Sequence, residues 1–327
     1  MKSIARRTAL AALTGCAVSG MSGAWAQTFP SRSMRLISPF SAGGAIDLMS
    51  RLLAETMGQR LKQTIVVENM PGANTIVAAQ ALARAPGDGH TFMVTTMSTV
   101  LNNRFVFKKL PYNPDVDLVP ISQVAYGSML LAGPANAEYK NLQQFIAWSK
   151  RQKRAINIGL FGVGSLAHAY VEMLKRDHGV EFVPVVYKGE GPAILDVMSG
   201  LLDASFSSPV IVKAQMSTGK LLPLGMLGPM RSPAMLDLAT FSEQKVPGME
   251  TPLWVGAFAP KDTPESAVNT LQQALAYALA LPQVASRIAE LGFVGVGSSP
   301  TEFSEQIKRE VRTLGPVFEG LGVRLDS

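Results

Sequence analysis

Between Met34 and Thr95 the chain alternates between strand-like and helix-like periods, and this alternation restricts its fold more than any other feature. Met34 to Phe40 reads as a strand, and Ile46, Met49, Leu53, Met57 and Leu61 then recur at steps of three and four, one face of a helix. Thr64 to Glu68 is a second strand, "NMPGAN" a loop, and Thr75 to Ala85 an alanine-rich helix stopped by Pro86-Gly87-Asp88-Gly89. Thr91 to Thr95 is a third strand. Strand, helix, strand, helix, strand predicts a parallel sheet covered on both faces.

The same grammar restarts in mid-chain. Ile156 to Leu160 is a strand, "FGVGS" a glycine turn and Leu166 to Arg176 a helix. Phe182 to Tyr187, "KGEGP" and Ala193 to Ser199 repeat the unit. Ala204 to Phe206, a helix from Val210 to Met216 and a strand from Leu221 to Leu227 complete it. The halves share architecture without a sequence repeat. With 327 residues, two α/β lobes are the economical reading. C-terminal helices at Ser266 to Leu281, Gln283 to Leu291 and Thr301 to Leu314 can cover either lobe.

The strand-to-helix turns share a composition: SAGGA, FGVGS and KGEGP, with TTMST a fourth candidate. In open α/β sheets ligands sit beyond the carboxyl ends of strands, where these turns lie. Helix N-termini there present unpaired N–H groups and about half a positive charge each. A small acid can be held this way without Lys or Arg, and Lys188 is nearly the only cation in these turns. One such turn alone is plain geometry. Several on one edge point to an anion site.

Lys2, Arg6 and Arg7 precede an apolar run from Thr8 to Val18 and then Ala24-Trp25-Ala26, the pattern of a secretory signal peptide over residues 1–26. Cleavage after Ala26 leaves an exported protein. Leu13-Thr14-Gly15-Cys16 also resembles a lipoprotein box, so lipid attachment at Cys16 is the alternative, and Arg6-Arg7 faintly resembles a twin-arginine signal. The leader carries three of the 30 Lys+Arg and none of the 24 Asp+Glu, so the remainder holds 27 against 24. That balance argues against a nucleic-acid partner. The only cysteine, Cys16, leaves with the leader, so neither disulfide nor thiol chemistry is expected.

Enzyme readings are weaker. Gly162-Val163-Gly164-Ser165-Leu166-Ala167 fits the G-x-G-x-x-A dinucleotide pattern, but Tyr187-Lys188 stands where its acidic residue belongs. His90, His168 and His178 form no metal spacing, and no G-x-S-x-G elbow is present. His168 and Asp47 each fall in a helix first turn, where packing and dipole roles compete with ligand contact.

"PFSAGGAID", "VENMPGAN", "KKLPYNP", "GVGSLAHAYVEML", "VVYKGEGPAILDVMSG" and "TPLWVGAFAPKDTP" together resemble the Bug-type solute receptors, the periplasmic component of tripartite tricarboxylate transporters. The resemblance implies a two-lobed periplasmic binding protein fold of type II-like form. Each lobe is then a mainly parallel sheet flanked by helices, with the ligand cleft between them. Lobe 1 comprises residues 27–126 and 251–327 and lobe 2 residues 127–250, with chain crossings near Gln123 to Leu131 and Thr251 to Ala257. It also implies no turnover, no cofactor and no metal, and a monomer that delivers a small organic carboxylate to membrane permease subunits. A sensory protein docking on a membrane kinase would use the same flytrap, and an exported enzyme using the G-x-G-x-x-A turn is the remaining alternative.

The ligand residues implied by the resemblance are Phe40, Ser41, Ala42, Gly43, Gly44, Ala45 and Asp47 in the first turn, and Gly162, Val163, Gly164, Ser165 and His168 in the second. Thr96, Met97 and Ser98, then Tyr187, Lys188 and Gly189, then Ser207 and Ser208 would add contacts. The chain departs from the family pattern at Met97 and Thr99, which replace a glycine and a histidine. Leu166 and Ala167 replace polar residues, and "FSSP" stands where an Asp-Asn pair is common, a less acidic wall. These departures predict a ligand more apolar than citrate, such as an aromatic or short aliphatic carboxylate.

Overall fold

The structure, a computed structural model, describes residues 29–320 and 322–326; the expected leader, with Cys16 and Ala26, lies outside them. The chain opens with β1 (Met34–Ser38), α1 (Ala45–Leu61), β2 (Ile65–Asn69), α2 (Ile76–Ala83) and β3 (Thr91–Thr96), followed by a 3-10 turn, α3 (Asn102–Val106) and β4 (Leu118–Gly127). After Ser128 and Met129 come β5 (Leu130–Pro134), α4 (Leu142–Arg151), β6 (Ile156–Leu160), α5 (Leu166–His178), β7 (Phe182–Val186), α6 (Glu190–Ser199), β8 (Ala204–Ser207), α7 (Pro209–Met216) and β9 (Leu221–Met226). The chain then returns through β10 (Leu253–Pro260), α8 (Glu265–Ala280), α9 (Pro282–Glu290), β11 (Phe293–Gly295) and α10 (Pro300–Gly320).

Two sheets result, a six-stranded one in the order β11-β4-β10-β3-β1-β2 and a five-stranded one in the order β7-β6-β8-β5-β9. β2, β1 and β3 run parallel, as do β7, β6 and β8. β10, β4 and β11 in the first sheet, and β5 and β9 in the second, pair antiparallel. The expected mainly parallel sheets are therefore mixed. The chain crosses between lobes at β4–β5 and again before β10, and each crossing brings a strand back in the opposite direction.

The helix faces follow from residue spacing. Ile46, Met49, Leu53 and Met57 on α1 are all buried, each contributing about 1.5–3 kcal/mol relative to exposure. α8 packs on α1, and α10 packs on β4 and α3, so the C-terminal helices cover the first lobe. α6 begins at Glu190, three residues ahead of the expected Ala193, because Gly189 is its N-cap and Glu190 its first-turn acid. Three of the five residues of "KGEGP" are therefore helix.

Candidate functional site

The two glycine turns that open α1 and α5 use one backbone device. Gly43 has φ +85° and donates its N–H to Asp47 Oδ2 at 2.9 Å. Gly164 has φ +75° and donates its N–H to His168 Nδ1 at 2.9 Å. In each lobe a first-turn side chain thus reaches back four residues and closes the loop onto its own helix. Left-handed φ is what reserves both positions for glycine.

Asp47 and His168 are scaffold for these turns. Asp47 is 1% exposed and also accepts from Asn69 Nδ2 at 2.8 Å and Arg51 Nε at 3.0 Å. Burial works against its charge, yet the bonds from Arg51, Gly43 and Asn69 hold the carboxyl below its ordinary value. Asn69 donates to the Phe40 carbonyl at 2.9 Å as well, so the end of β2 fixes the first turn. His168 is buried, and burial pushes its imidazole below the usual range against the opposing pull of Glu172.

A third element is strained. Ala73, Asn74 and Thr75 have φ of 44°, 46° and 74° in succession, at a cost on the order of 1–3 kcal/mol each. Asn74 exchanges side-chain and carbonyl bonds with Asn103 at 2.7 and 2.9 Å, and Thr75 Oγ1 accepts from Thr99 at 2.8 Å. The 3-10 turn and α3 therefore hold this loop in place.

The lobes touch where the turns face one another. The Ser41 hydroxyl bonds the Lys188 carbonyl, and Phe40 meets Phe161 edge to face at 6.5 Å. A Cβ at Gly189 would lie 3.1 Å from Ser41 Cβ, while one at Gly162 or Gly164 would overlap Asn74 or Val106. The glycines of the second lobe make room for the first lobe.

Between them lies a cavity of ≈ 150 Å³. Phe40 to Ala45, Thr96, Ser98, Ser165, Gly189 and Ser208 line it, as the sequence reading grouped them. Gly162, Val163, Tyr187 and Lys188 instead line a second cavity of ≈ 360 Å³ beyond Phe40 and Phe161. Asp47, Met97, Gly164, His168 and Ser207 line neither. Met97 is buried in the core, so of the Thr96–Ser98 stretch only its two neighbours reach the cavity.

Sequence reasoning missed Asn74, Ser128, Met129, Glu190, Ile211 and Phe293, all of which line the first cavity. Asn74 and Glu190 stood in quoted loops, and their polar heads were the available signal. Ile211 and Phe293 carried none. Glu190 also corrects the expected less acidic wall: Ser207 and Ser208 stand there, but both bond its carboxylate. No Lys or Arg lines this cavity.

Among the described residues no group of three or more His, Cys, Asp or Glu side chains is placed to hold a metal ion, and no helix is long and apolar enough to cross a membrane. Residues 49–323 match the model of the tripartite tricarboxylate transporter family receptor. The chain belongs to this family. Protein BugT of Bordetella pertussis, another relative, is 29% identical over 301 residues, covering 92% of each chain. A Rhodopseudomonas palustris protein solved with adipate superimposes with a TM-score of 0.86 at 28% identity, over 91% of this chain and 100% of that one. MatC from the same organism, solved with bound malate, gives 0.82 at 30% identity, over 89% of this chain and 100% of that one. The tripartite transporter receptor fold is thus present across nearly all the described residues, with turn residues from both lobes lining one cavity.

Proposed function

We propose that this chain is an extracytoplasmic receptor that captures a small organic carboxylate between its lobes and hands it, untransformed, to the permease subunits of a tripartite transporter. Its leader, residues 1–26, would direct export and leave the mature protein periplasmic. The two crossings, between residues 127–250 and the rest, would act as the hinge.

The observation that carries this reading is the uncapped first turn of α1 inside a cavity without cations. Gly44 is the N-cap and has no side chain, so no side-chain cap bond closes that helix end. A ligand carboxylate placed there takes the cap's role and accepts from the free first-turn amides. At α5, Gly164 N–H, Ser165 N–H and His168 N–H are already bonded within the protein, which leaves Leu166 and Ala167 N–H for the same anion. Charge-assisted bonds of this kind contribute roughly 1.5–3 kcal/mol each. Gly164, Asp47 and His168 act by shaping the turns rather than by touching ligand, while Gly43 shapes its turn and also lines the cavity. Because the acid bonds both lobes, it favours their closed arrangement.

A thermal-shift screen of carboxylates followed by isothermal titration tests the proposal. An acid at 100 times its dissociation constant adds about 2.7 kcal/mol of stability. A complex in which the acid sits outside this cavity, or is held chiefly by Lys or Arg, would refute it.

A further inference from the structure

We infer that Glu190 occupies the cavity's second anion seat with the protein's own carboxylate, and so restricts the receptor to monocarboxylates. This rests on the carboxylate-receptor reading and specifies which acids satisfy it.

The N-termini of α1, α5, α6 and α7 all border the same cavity, through Gly44 to Ile46, Ser165 to Ala167, Gly189 to Pro192, and Ser208. More than one of these helix ends can therefore receive an anion. The seat at the α7 end is filled. Glu190, the first residue of α6, places Oε2 where it accepts from Ser208 N–H at 2.8 Å, Ser208 Oγ at 2.5 Å and Ser207 Oγ at 3.0 Å. Three donors converging on one carboxylate oxygen is the pattern a bound acid would make. No Lys or Arg lines the cavity to offset that charge, since Lys188 faces the neighbouring cavity.

The space that remains is mostly apolar. Ile46, Met129, Ile211, Leu253 and Phe293 line it, and ≈ 150 Å³ is the size of cavity that takes a benzene ring. A ligand with one carboxylate at α1 and α5 and a hydrocarbon body fits these walls. A second ionised carboxylate would meet Glu190 in a site of low polarity. At an effective dielectric of about 20, a like charge at ~5 Å weakens binding by about two orders of magnitude.

The test compares acids that differ only at the far end: hexanoate with adipate, and benzoate with terephthalate. Isothermal titration is run on the mature wild-type protein and on Glu190→Gln, whose amide oxygen still accepts from the serines. Cooperative thermal unfolding confirms that the variant is folded. The expected result is wild-type preference for the monocarboxylate of a pair by at least about tenfold, and a ratio lowered by about tenfold or more in Glu190→Gln. Equal or tighter wild-type binding of the dicarboxylates, or a ratio that Glu190→Gln leaves unchanged, overturns the inference while the receptor reading stands. Binding of none of the four acids overturns the inference, and failure of every carboxylate in the wider thermal-shift screen overturns the receptor reading as well.

Discussion

The Ser41 hydroxyl donates a 3.0 Å hydrogen bond to the Lys188 carbonyl, joining the SAGGA turn of one lobe to the KGEGP turn of the other. The bond exists only while the lobes are together, so it stabilises the closed arrangement alone. Ser41→Ala is expected to cost about 0.5–1.5 kcal/mol of that arrangement, a loss of roughly twofold to tenfold in ligand affinity. The loss should appear in the dissociation rate. Stopped-flow release of a bound acid reads it, and an unchanged off-rate would show that this contact does not latch the lobes.

Gly164 is reserved twice, by φ +75° and by Val106 from the opposite lobe. Gly164→Ala should therefore impede closure, reducing affinity by about tenfold or more, with about 1–3 kcal/mol of local strain besides. Trimming the obstacle separates the two effects. In the double variant with Val106→Ala, titration should recover part of the affinity while the strain remains. No recovery would mean that backbone conformation alone sets the requirement for glycine.

Asp47 gathers bonds from Gly43, Asn69 and Arg51 while almost fully buried. Its removal leaves donors unpaired in the first turn, and Arg51, half exposed, adds little beyond them. Asp47→Ala should lower unfolding free energy by about 2–3 kcal/mol. Urea denaturation measures it. A change below about 0.5 kcal/mol would contradict the scaffold role.

Much of this was legible in the sequence, and the missing parts have physical reasons. Every strand followed by a glycine turn and a helix, such as Ile156–Leu160, was readable because its period changes abruptly. β4, β5, β10 and β11 lack that signal, since their partners lie far away in sequence and antiparallel pairing leaves no local mark. At the site, SAGGA and Ser165 were readable from turn chemistry. Asp47 and His168 were grouped with the ligand residues by the family resemblance, and first-turn position alone does not reveal which way a side chain bonds. Glu190 was passed over because "KGEGP" reads as a turn, and only its place at the start of α6 brings it to Ser207 and Ser208.

The equivalent partner in the second lobe titrates. His168 accepts from Gly164 N–H through Nδ1, so the neutral ring carries its proton on Nε2. Burial holds the folded-state pKa below the ordinary 6.5, with Glu172 opposing. The unfolded chain therefore takes up the proton first. The contribution is complete above about pH 6.5 and declines as pH falls through the folded value. Urea midpoints should fall more steeply between about pH 7 and 5 for wild type than for His168→Gln, which keeps an acceptor but cannot be charged. Parallel slopes would show that this ring does not govern the response.

β10 is wedged between β3 and β4, although more than a hundred residues separate it from either. Every strand of the other sheet comes from one unbroken stretch, Leu130 to Met226. A chain emerging from its N-terminus can therefore finish its middle portion early. The opening portion must wait with one edge of β3 and both edges of β4 bare until the last third arrives, the condition in which β-rich intermediates stick to one another. Assembly order is thus written into the strand order: the inserted lobe is built first, and the one that begins the chain is finished last.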